Sequence, residues 1–304
     1  MSATEAPSST VTLTIDGREV TVPKGTPLVI AAAEAAGVEI PVFCYEPRLG
    51  APVGACRMCL VEIQGMPKLQ AACTMVATDG MVVLTESAKA REGQDAVLEF
   101  LLLNHPLDCP VCDKGGECPL QDLTFRYGPG TTRMTLPKRT YEKPLPISTS
   151  IVLDRERCIL CYRCTRFSAD VAEDGELIPR ERGARTVIAT FEERPYEGVF
   201  SGNVTELCPV GALLPVAYRF KARPWEIVNV PTVCTHCPTG CNTWATVREG
   251  RVERILSRNN AEVDEGWLCD RGRYGFEQYA GVLVRQVGDE QRQQLAGAGL
   301  AGAR

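Results

Sequence analysis

The cysteines are the residues of this sequence best suited to carry out chemistry. The chain of 304 residues contains 15 cysteines and only two histidines. An odd number of cysteines cannot pair completely into disulfides, and a chain of this length needs no disulfides to form a core. Thiolates present in such numbers in a reducing compartment usually bind soft metals or iron–sulfur clusters. Their spacing divides them into four groups.

The first group has the pattern C-x11-C-x2-C-x13-C and consists of Cys44, Cys56, Cys59 and Cys73. Two ligands on one short loop, with one more on each side, suit a [2Fe–2S] cluster in which each iron takes two thiolates. Gly50 and Gly54 allow the backbone to wrap closely around such a cluster. The alternative is a structural zinc site, although zinc sites more often use two C-x2-C pairs and this group has one.

The second group has only three cysteines, Cys109, Cys112 and Cys118, and His105 precedes them. Three thiolates leave one position of a [4Fe–4S] cluster open, and imidazole is an accepted cluster ligand. The other three groups have four cysteines each, so His105 is placed to fill the single vacancy. The alternative is that His105 caps the preceding helix and that water or another cysteine completes the site.

The third group is the run C-x2-C-x2-C of Cys158, Cys161 and Cys164, with Cys208-Pro209 later in the chain. In two-cluster bacterial ferredoxins the fourth cysteine of such a run, followed by proline, binds the other cluster. Here the first run, which ends at Cys164, has no Cys-Pro of its own. Of the second run only Cys208-Pro209 remains. The pattern predicts a ferredoxin-type unit with one [4Fe–4S] cluster bound by these four cysteines.

The fourth group consists of Cys234, Cys237 and Cys241, with Cys269 later in the chain. This spacing permits either a [4Fe–4S] cluster or a zinc site with four thiolates. His236 lies inside the motif, but four cysteines are already available. We therefore expect His236 to lie beside the site rather than to be a ligand.

The elements that carry these groups also follow from the sequence. Residues 11–22 alternate in polarity around Asp16-Gly17, which predicts a β-hairpin with a two-residue turn. A helix is predicted over residues 27–36, with Thr26 as its N-cap and Gly37 as its C-cap.

Strands are predicted over residues 58–63 and 81–84, and they complete a small mixed sheet that ends near Thr85. A helix is predicted over residues 87–104. Its apolar side consists of Val97, Leu98, Leu101 and Leu102.

The composition and the motifs exclude several other functions. The formal net charge is −5, so the chain lacks the basic surface that nucleic-acid binding requires. No uncharged apolar segment approaches the roughly 18 residues of a membrane span, and residues 1–10 lack the features of a signal peptide. We therefore expect a cytoplasmic protein. The sequence has no Gly-x-Gly-x-x-Gly fingerprint and no phosphate-binding loop, so we expect no catalytic residues or substrate site.

In this order the four groups resemble the iron–sulfur part of the large peripheral-arm subunit of bacterial complex I, the NADH-quinone oxidoreductase, whose mitochondrial counterpart is the 75 kDa iron–sulfur subunit. The matching motifs are Phe43-Cys-Tyr-Glu-Pro, Gly54-Ala-Cys-Arg-Met-Cys, His105-Pro-Leu-Asp-Cys-Pro-Val-Cys-Asp-Lys-Gly-Gly-Glu-Cys-Pro-Leu-Gln, Cys158-Ile-Leu-Cys-Tyr-Arg-Cys and Cys208-Pro-Val-Gly-Ala-Leu. In that family the histidine binds a [4Fe–4S] cluster, which implies the same role for His105. The fourth group resembles the cluster site that opens molybdopterin-type oxidoreductase domains, and some bacterial complex I subunits keep it as an extra cluster off the electron path.

The resemblance implies a multidomain iron–sulfur protein of the α+β class, without the large C-terminal molybdopterin-like domain of the family because the chain stops at Arg304. The predicted parts are a disordered N-terminus (1–9), a β-grasp [2Fe–2S] ferredoxin-type domain (10–86), a helical His-Cys [4Fe–4S] segment (87–126), a linker (127–147), a bacterial-ferredoxin-like [4Fe–4S] domain (148–223), a molybdopterin-oxidoreductase-type [4Fe–4S] domain (228–284) and a tail (285–304).

The resemblance also implies a function. The chain is expected to pass electrons, which NADH gives to FMN on a neighbouring subunit, through one [2Fe–2S] and three [4Fe–4S] clusters toward quinone. The whole complex, a translocase, couples this transfer to proton translocation. The expected partners are the flavin- and NADH-binding subunit, the 24 kDa-type [2Fe–2S] subunit and the quinone-module subunits. The expected location is the cytoplasmic side of the inner membrane, with membrane contact only through partners.

Two other interpretations remain open at this point. The iron–sulfur subunit of a soluble NAD-linked formate dehydrogenase or hydrogenase shares the first three cysteine groups. A structural zinc protein would use the same thiolates without sulfide.

Overall fold

The computed structural model describes residues 9–278, which divide into two compact units. Unit one consists of the chain up to residue 106 together with residues 119–141 and 156–163. Unit two consists of residues 107–118 and 142–155 and of the chain from residue 164 onward. The predicted disordered N-terminus (1–9) lies outside the described residues except for residue 9, and the predicted tail (285–304) lies wholly outside them.

Unit one is built around a mixed five-stranded sheet with the strand order β2-β1-β5-β3-β4. β1 pairs in parallel with β5, and the other neighbours are antiparallel. The apolar side chains of Leu13, Ile15 and Val83 are fully buried and form the core on one face. The strands are β1 (Thr10–Ile15), β2 (Arg18–Pro23), β3 (Leu60–Ile63), β4 (Gln70–Ala71) and β5 (Val82–Leu84).

The predicted hairpin is confirmed by the pairing of β1 with β2. Asp16 and Gly17 both have positive φ, 48° and 80°, which is the backbone of a type I′ turn. The carboxylate of Asp16 also accepts hydrogen bonds from the amide and the hydroxyl of Thr85. The turn therefore ties the first hairpin to the residue where the sheet was predicted to end.

The predicted helix over 27–36 is present as one α-helical turn, α1 (Leu28–Ile30), followed by a π-helical segment, Ala31–Ala36. Gly37 ends it in the left-handed conformation with φ 67°, as predicted. The prediction of Thr26 as the N-cap is wrong. Its hydroxyl donates to the carbonyl of Pro23 instead, at 2.7 Å. No side-chain cap is needed, because the first helical N–H, that of Leu28, donates to Met75 O at 2.8 Å.

Two helices complete unit one, α2 (Ala88–Leu102) and α3 (Pro119–Tyr127). The hydroxyl of Ser87 caps α2 by accepting the N–H of Ala90 at 3.1 Å. Gln94 donates from its amide to Leu60 O at 3.0 Å and so joins α2 to β3. Of the four apolar residues predicted on this helix, Leu98 alone is fully buried.

Unit two contains three small antiparallel sheets with the strand orders β10-β7-β6, β8-β9 and β11-β12-β13. Its helices are short, a few residues each. Antiparallel sheets together with short helices fit the α+β class. The elements are β6 (Leu145–Pro146), β7 (Ile151–Leu153), α4 (Arg163–Arg166, whose first residue belongs to unit one), β8 (Leu177–Arg180), β9 (Val187–Thr190), α5 (Asn203–Leu207), β10 (Leu213–Pro215), β11 (Val228–Val233), β12 (Asn242–Arg248), β13 (Arg251–Ser257) and α6 (Asp270–Tyr274).

No helix between residues 9 and 278 has both the length and the apolar character needed to cross a lipid bilayer.

Candidate metal centres

The four cysteines of the first group converge inside unit one. Each is at least 94% buried. The thiol of Cys44 hydrogen-bonds to that of Cys56, and the thiol of Cys59 to that of Cys73. A further bond between Cys44 and Cys73 connects the two pairs. Each iron of a [2Fe–2S] cluster takes two thiolates, so this arrangement of two joined pairs fits such a cluster.

The electrostatics of the first group call for a cation. Hydrogen bonds from Cys56 and then Cys73 lower the pKa of the Cys44 thiol, although its burial opposes this. The same hydrogen bonds raise the pKa of Cys56 and of Cys73, which donate their protons to neighbouring thiolates, and burial and the nearby negative charge raise it further. Four buried thiolates together therefore require bound positive charge, which a metal centre would supply.

Backbone N–H groups are directed at one sulfur of this group. The amides of Cys44 and Met58 donate to Cys56 Sγ at 3.4 and 3.5 Å. Such bonds stabilise negative charge on the sulfur and are one of the factors that set the potential of a cluster.

A glycine makes the loop before Cys56 possible. Gly54 has φ +59°, and a Cβ at this position would lie 2.9 Å from Thr74 Cγ2. Gly50 has a similar φ of +72°, but a Cβ there would meet nothing within 4 Å. Both glycines therefore have a positive φ that favours glycine, and Gly54 alone also faces a steric limit.

This difference gives a prediction. Gly54→Ala should lower the free energy of unfolding by more than the roughly 1–2 kcal/mol of left-handed strain, because Thr74 must also move. Gly37→Ala has the strain without the clash and is the matched control, because Gly37 is left-handed with φ 67° and a Cβ there would meet nothing closer than 3.9 Å. Thermal unfolding and iron content per chain measure the effect. Equal losses in the two variants would show that close packing at Gly54 is unimportant.

The cysteines of the second group, Cys109, Cys112 and Cys118, lie in unit two, and His105 belongs to unit one. Cys109 is exposed and the other two are buried. Gly115 donates its N–H to Cys112 O at 2.9 Å. A Cβ on Gly115 would lie 2.8 Å from Cys109 O, so the chain can fold back over the first two cysteines only with glycine here. The ligation of iron by His105 stays a prediction.

An arginine that the sequence analysis missed holds this turn. The guanidinium group of Arg223 donates to Cys112 O at 2.6 Å and also to Pro110 O. Both carbonyls belong to the short turn between Cys109 and Cys112. The separation of more than 100 residues leaves no signal in the sequence for this contact.

The third group is divided between the units, with Cys158 and Cys161 in unit one and Cys164 and Cys208 in unit two. Within unit one, Leu160 has a positive φ of 52°, and the residue after Cys161 also has a positive φ. Leu160 donates its N–H to Cys158 Sγ at 3.4 Å. Left-handed residues on both sides of Cys161 bend the backbone around the loop and let N–H groups approach the sulfurs, which suits an anionic cluster.

The cysteines of the fourth group gather within unit two. Burial and then Asp264 raise the pKa of Cys241, and the other three cysteines of the group raise it further. Cys234 donates its N–H to Cys241 O at 2.8 Å. A Cβ on Gly272 would lie 3.0 Å from Cys234 Sγ, so α6 approaches this sulfur as closely as glycine permits. The ring of His236 packs against Gly275 in the same region.

A single metal ion needs its ligands gathered around one point, whereas a cluster spreads its ligands over several metal atoms. Between residues 9 and 278, no three side chains of His, Cys, Asp or Glu are placed to bind one single metal ion. A cluster distributes its ligands over two or four irons, so its thiolates need not surround one point.

Four family models match the chain, one over each cysteine group. They are the 2Fe-2S iron-sulfur cluster binding domain (residues 8–88), the NADH-ubiquinone oxidoreductase-G iron-sulfur binding region (94–133), the ferredoxin-like domain of NADH-quinone oxidoreductase subunit 3 (148–214) and the molybdopterin oxidoreductase Fe4S4 domain (227–281).

Curated relatives match nearly the whole chain. The G subunit of the NADH-quinone oxidoreductase of Streptomyces coelicolor is 56% identical over 272 residues, which cover 89% of this chain and 32% of the relative. The chain belongs to the G-subunit family of NADH-quinone oxidoreductases. Subunit 3 of the Thermus thermophilus enzyme is 45% identical over 88% of this chain and 38% of the relative. This member of the G-subunit family therefore spans about a third of the length of the curated relatives it matches.

A solved structure is also similar to this G-subunit family member. A chain from a crystal structure of NAD+-reducing [NiFe]-hydrogenase aligns with a TM-score of 0.61 and 30% identity. The alignment covers 70% of this chain and 90% of that one.

This member of the G-subunit family also has a largely buried ion pair beside Cys118. Arg254 on β13 donates to both carboxylate oxygens of Glu117, at 2.8 and 2.7 Å. Its guanidinium group stacks on the ring of Tyr218 at 4.2 Å. Burial alone would raise the pKa of Glu117, but the hydrogen bond and charge of Arg254 outweigh it, and the pKa is lowered. The pair connects the last sheet of unit two to the second cysteine group.

Proposed function

We propose that this chain is the iron–sulfur electron carrier of an NADH-quinone oxidoreductase. Electrons from NADH reach it through FMN on a partner subunit and continue toward quinone, and the whole complex couples their passage to proton translocation. The observation that carries the proposal is the match of residues 94–133, the segment with His105, to the NADH-ubiquinone oxidoreductase-G iron–sulfur binding region. Matches to three further iron–sulfur domains on either side support it.

We assign one [2Fe–2S] and three [4Fe–4S] clusters to the four groups. The first is held by Cys44, Cys56, Cys59 and Cys73. The [4Fe–4S] ligand sets are His105, Cys109, Cys112 and Cys118; Cys158, Cys161, Cys164 and Cys208; and Cys234, Cys237, Cys241 and Cys269. The predicted domain boundaries are kept, with a β-grasp fold for residues 10–86, which the mixed sheet and its crossing helix support.

The protein's own contribution is to hold and tune these groups. Iron–sulfur clusters accept and release single electrons when bound. The cysteine side chains of the first group are buried away from water. The N–H groups of Cys44 and Met58 stabilise negative charge on Cys56 Sγ. In the second group a neutral imidazole from His105 replaces one thiolate, which removes one negative charge and favours reduction. We assign no catalytic residue to this chain.

The proposed partners are the flavin- and NADH-binding subunit, the 24 kDa-type [2Fe–2S] subunit and the subunits of the quinone module. The relatives named above are subunits of an NADH-quinone oxidoreductase, which supports partner subunits in general. We propose a peripheral location on the cytoplasmic side of the membrane, with attachment through these partners.

A second candidate is the iron–sulfur subunit of a soluble NAD-linked hydrogenase. The likeness to a chain of NAD+-reducing [NiFe]-hydrogenase favours it. Oxidation of NADH by quinone in the isolated complex, without hydrogen or formate oxidation, would decide for the first candidate. Hydrogen-dependent reduction of NAD+ would decide for the second.

Metal analysis and EPR of the chain in its complex test the proposal. We expect iron and acid-labile sulfide, one reduced [2Fe–2S] signal and three [4Fe–4S] signals. Zinc without sulfide would overturn the proposed function. A count of two [4Fe–4S] signals would remove one ligand set and leave the carrier function intact.

The variant His105→Cys tests the histidine ligand. A fourth thiolate adds one negative charge to the cluster of the second group, so its midpoint potential should fall. EPR-monitored redox titration measures the shift. The control is His236→Cys, which changes the other histidine of the chain and should leave the second group unchanged. If His105→Cys left every signal unchanged in position and shape, His105 would not be a ligand.

A further inference from the structure

Arg163 lies in the third cysteine motif, but its side chain reaches the first. Its guanidinium group donates a hydrogen bond to the carbonyl of Tyr45, the residue that follows Cys44. It also lies 3.9 Å from the carboxylate of Glu46. All these residues belong to unit one. The Arg163 side chain is only 15% exposed, so water screens its charge weakly.

Two arginines and one carboxylate form a cluster of charges that contacts the segment after Cys44. Glu46 is held by two arginines, Arg48 at 2.8 Å and Arg163 at 3.9 Å. Arginine keeps its proton at any physiological pH, so Arg163 carries a permanent positive charge at this contact.

We propose that Arg163 is a positioning residue that couples the centres of the first and third cysteine groups. Its backbone is part of the third motif, and its side chain fixes the backbone next to Cys44. One permanent charge then acts on both centres, and one contact sets how the two loops lie against each other. The inference rests on the proposed function, because it takes both groups as cluster ligands.

The expected effect follows from the charge. Reduction adds one electron to a centre, and a nearby buried positive charge stabilises the reduced form. Removing this charge should make reduction of the [2Fe–2S] centre less favourable by about tenfold, which is about 59 mV for one electron. The [4Fe–4S] centre of the third group should shift in the same direction.

The experiment is a redox titration, followed by EPR, of the full chain in its complex. Arg163→Gln should lower both midpoint potentials, and Arg163→Lys should restore most of the difference because it keeps the charge. The matched control is Arg18→Gln. Arg18 also donates to a backbone carbonyl, that of Ala36 at 2.7 Å, but this carbonyl is not next to a cysteine. Arg18→Gln should therefore shift neither midpoint potential.

Three results would overturn the inference. The first is that Arg163→Gln leaves both midpoint potentials unchanged. The second is that Arg163→Lys lowers the potentials as far as Arg163→Gln does. The third is that Arg18→Gln lowers them by the same amount. If Arg163→Gln does not assemble, Glu46→Gln decides, since it removes the negative charge and should raise the [2Fe–2S] potential. An unchanged potential there also overturns the inference. Wild-type protein with zinc and without sulfide would instead overturn the proposed function itself.

Discussion

Replacing Cys59 with alanine is expected to abolish the [2Fe–2S] signal of the chain and to destabilise unit one. Cys59 is fully buried in the hydrophobic core that also contains Leu13 and Val83. Its thiol hydrogen-bonds to Cys73. Without Cys59 one iron would keep a single thiolate, and the free energy of cluster binding would no longer contribute to folding. EPR of the reduced protein and iron content measure the loss, and thermal unfolding measures the change in stability.

Met58→Leu is the matched control for this variant. Met58 is the preceding residue and is equally buried. Exchange of methionine for leucine keeps the volume and usually costs less than about 1.5 kcal/mol. The control should keep the [2Fe–2S] signal, because the N–H of residue 58 still reaches Cys56 Sγ. A Cys59→Ala protein with a wild-type signal would disprove the assignment of the first group.

Replacing Arg254 with methionine is expected to lower the free energy of unfolding of unit two by about 3 kcal/mol. The Arg254 side chain is 12% exposed and that of Glu117 is 29% exposed. The substitution would leave the largely buried carboxylate of Glu117 without its cation. This loss destabilises the folded state by far more than the net free energy that the intact ion pair contributes. Because Glu117 precedes Cys118, the signal of the second group should also broaden or weaken. Denaturant unfolding and EPR measure the two effects.

Arg248→Met provides the control, since Arg248 forms a more exposed ion pair with Glu226 in the same unit. The two side chains are 33% and 36% exposed. The loss should therefore stay below about 1 kcal/mol. Equal losses in Arg248→Met and Arg254→Met would mean that burial adds nothing to the pair of Arg254 with Glu117.

The contribution of Glu117 should depend on pH. Arg254 lowers the folded-state pKa of Glu117 below its value in the unfolded chain. The stabilisation is therefore present above the unfolded pKa of glutamate, about 4.3, and is lost as the pH falls through the lower folded value. The difference in stability between the wild-type protein and Arg254→Met should shrink in that acid range.

The sequence predicts local features well where one residue type determines them. Asp16 and Gly17 specify the first turn, and Gly37 specifies the end of the first helix, since each position needs a positive φ. Thr26 was predicted incorrectly as a cap because the competing partner of the first helical N–H, Met75 O, is distant in sequence.

The cysteine groups were also evident from spacing, but the residues that surround them were not. Arg163 lies inside its motif and could have been suspected from that position. Arg223 and Arg254 lie more than 100 residues from the turns they hold. Spacing carries no information on such contacts, because tertiary packing alone creates them.

The alternation of the two units along the chain has a consequence for translation. The last segment of unit one, residues 156–163, is synthesised after residues 107–118 and 142–155 of unit two. Chains emerge from the ribosome at roughly 5–20 residues per second. The segment that carries Cys109, Cys112 and Cys118 therefore emerges before most of unit two, which begins again at residue 164, has been synthesised. A ribosome stalled before that point would hold two unfinished units, and the third group would be complete only after Cys208 had been made.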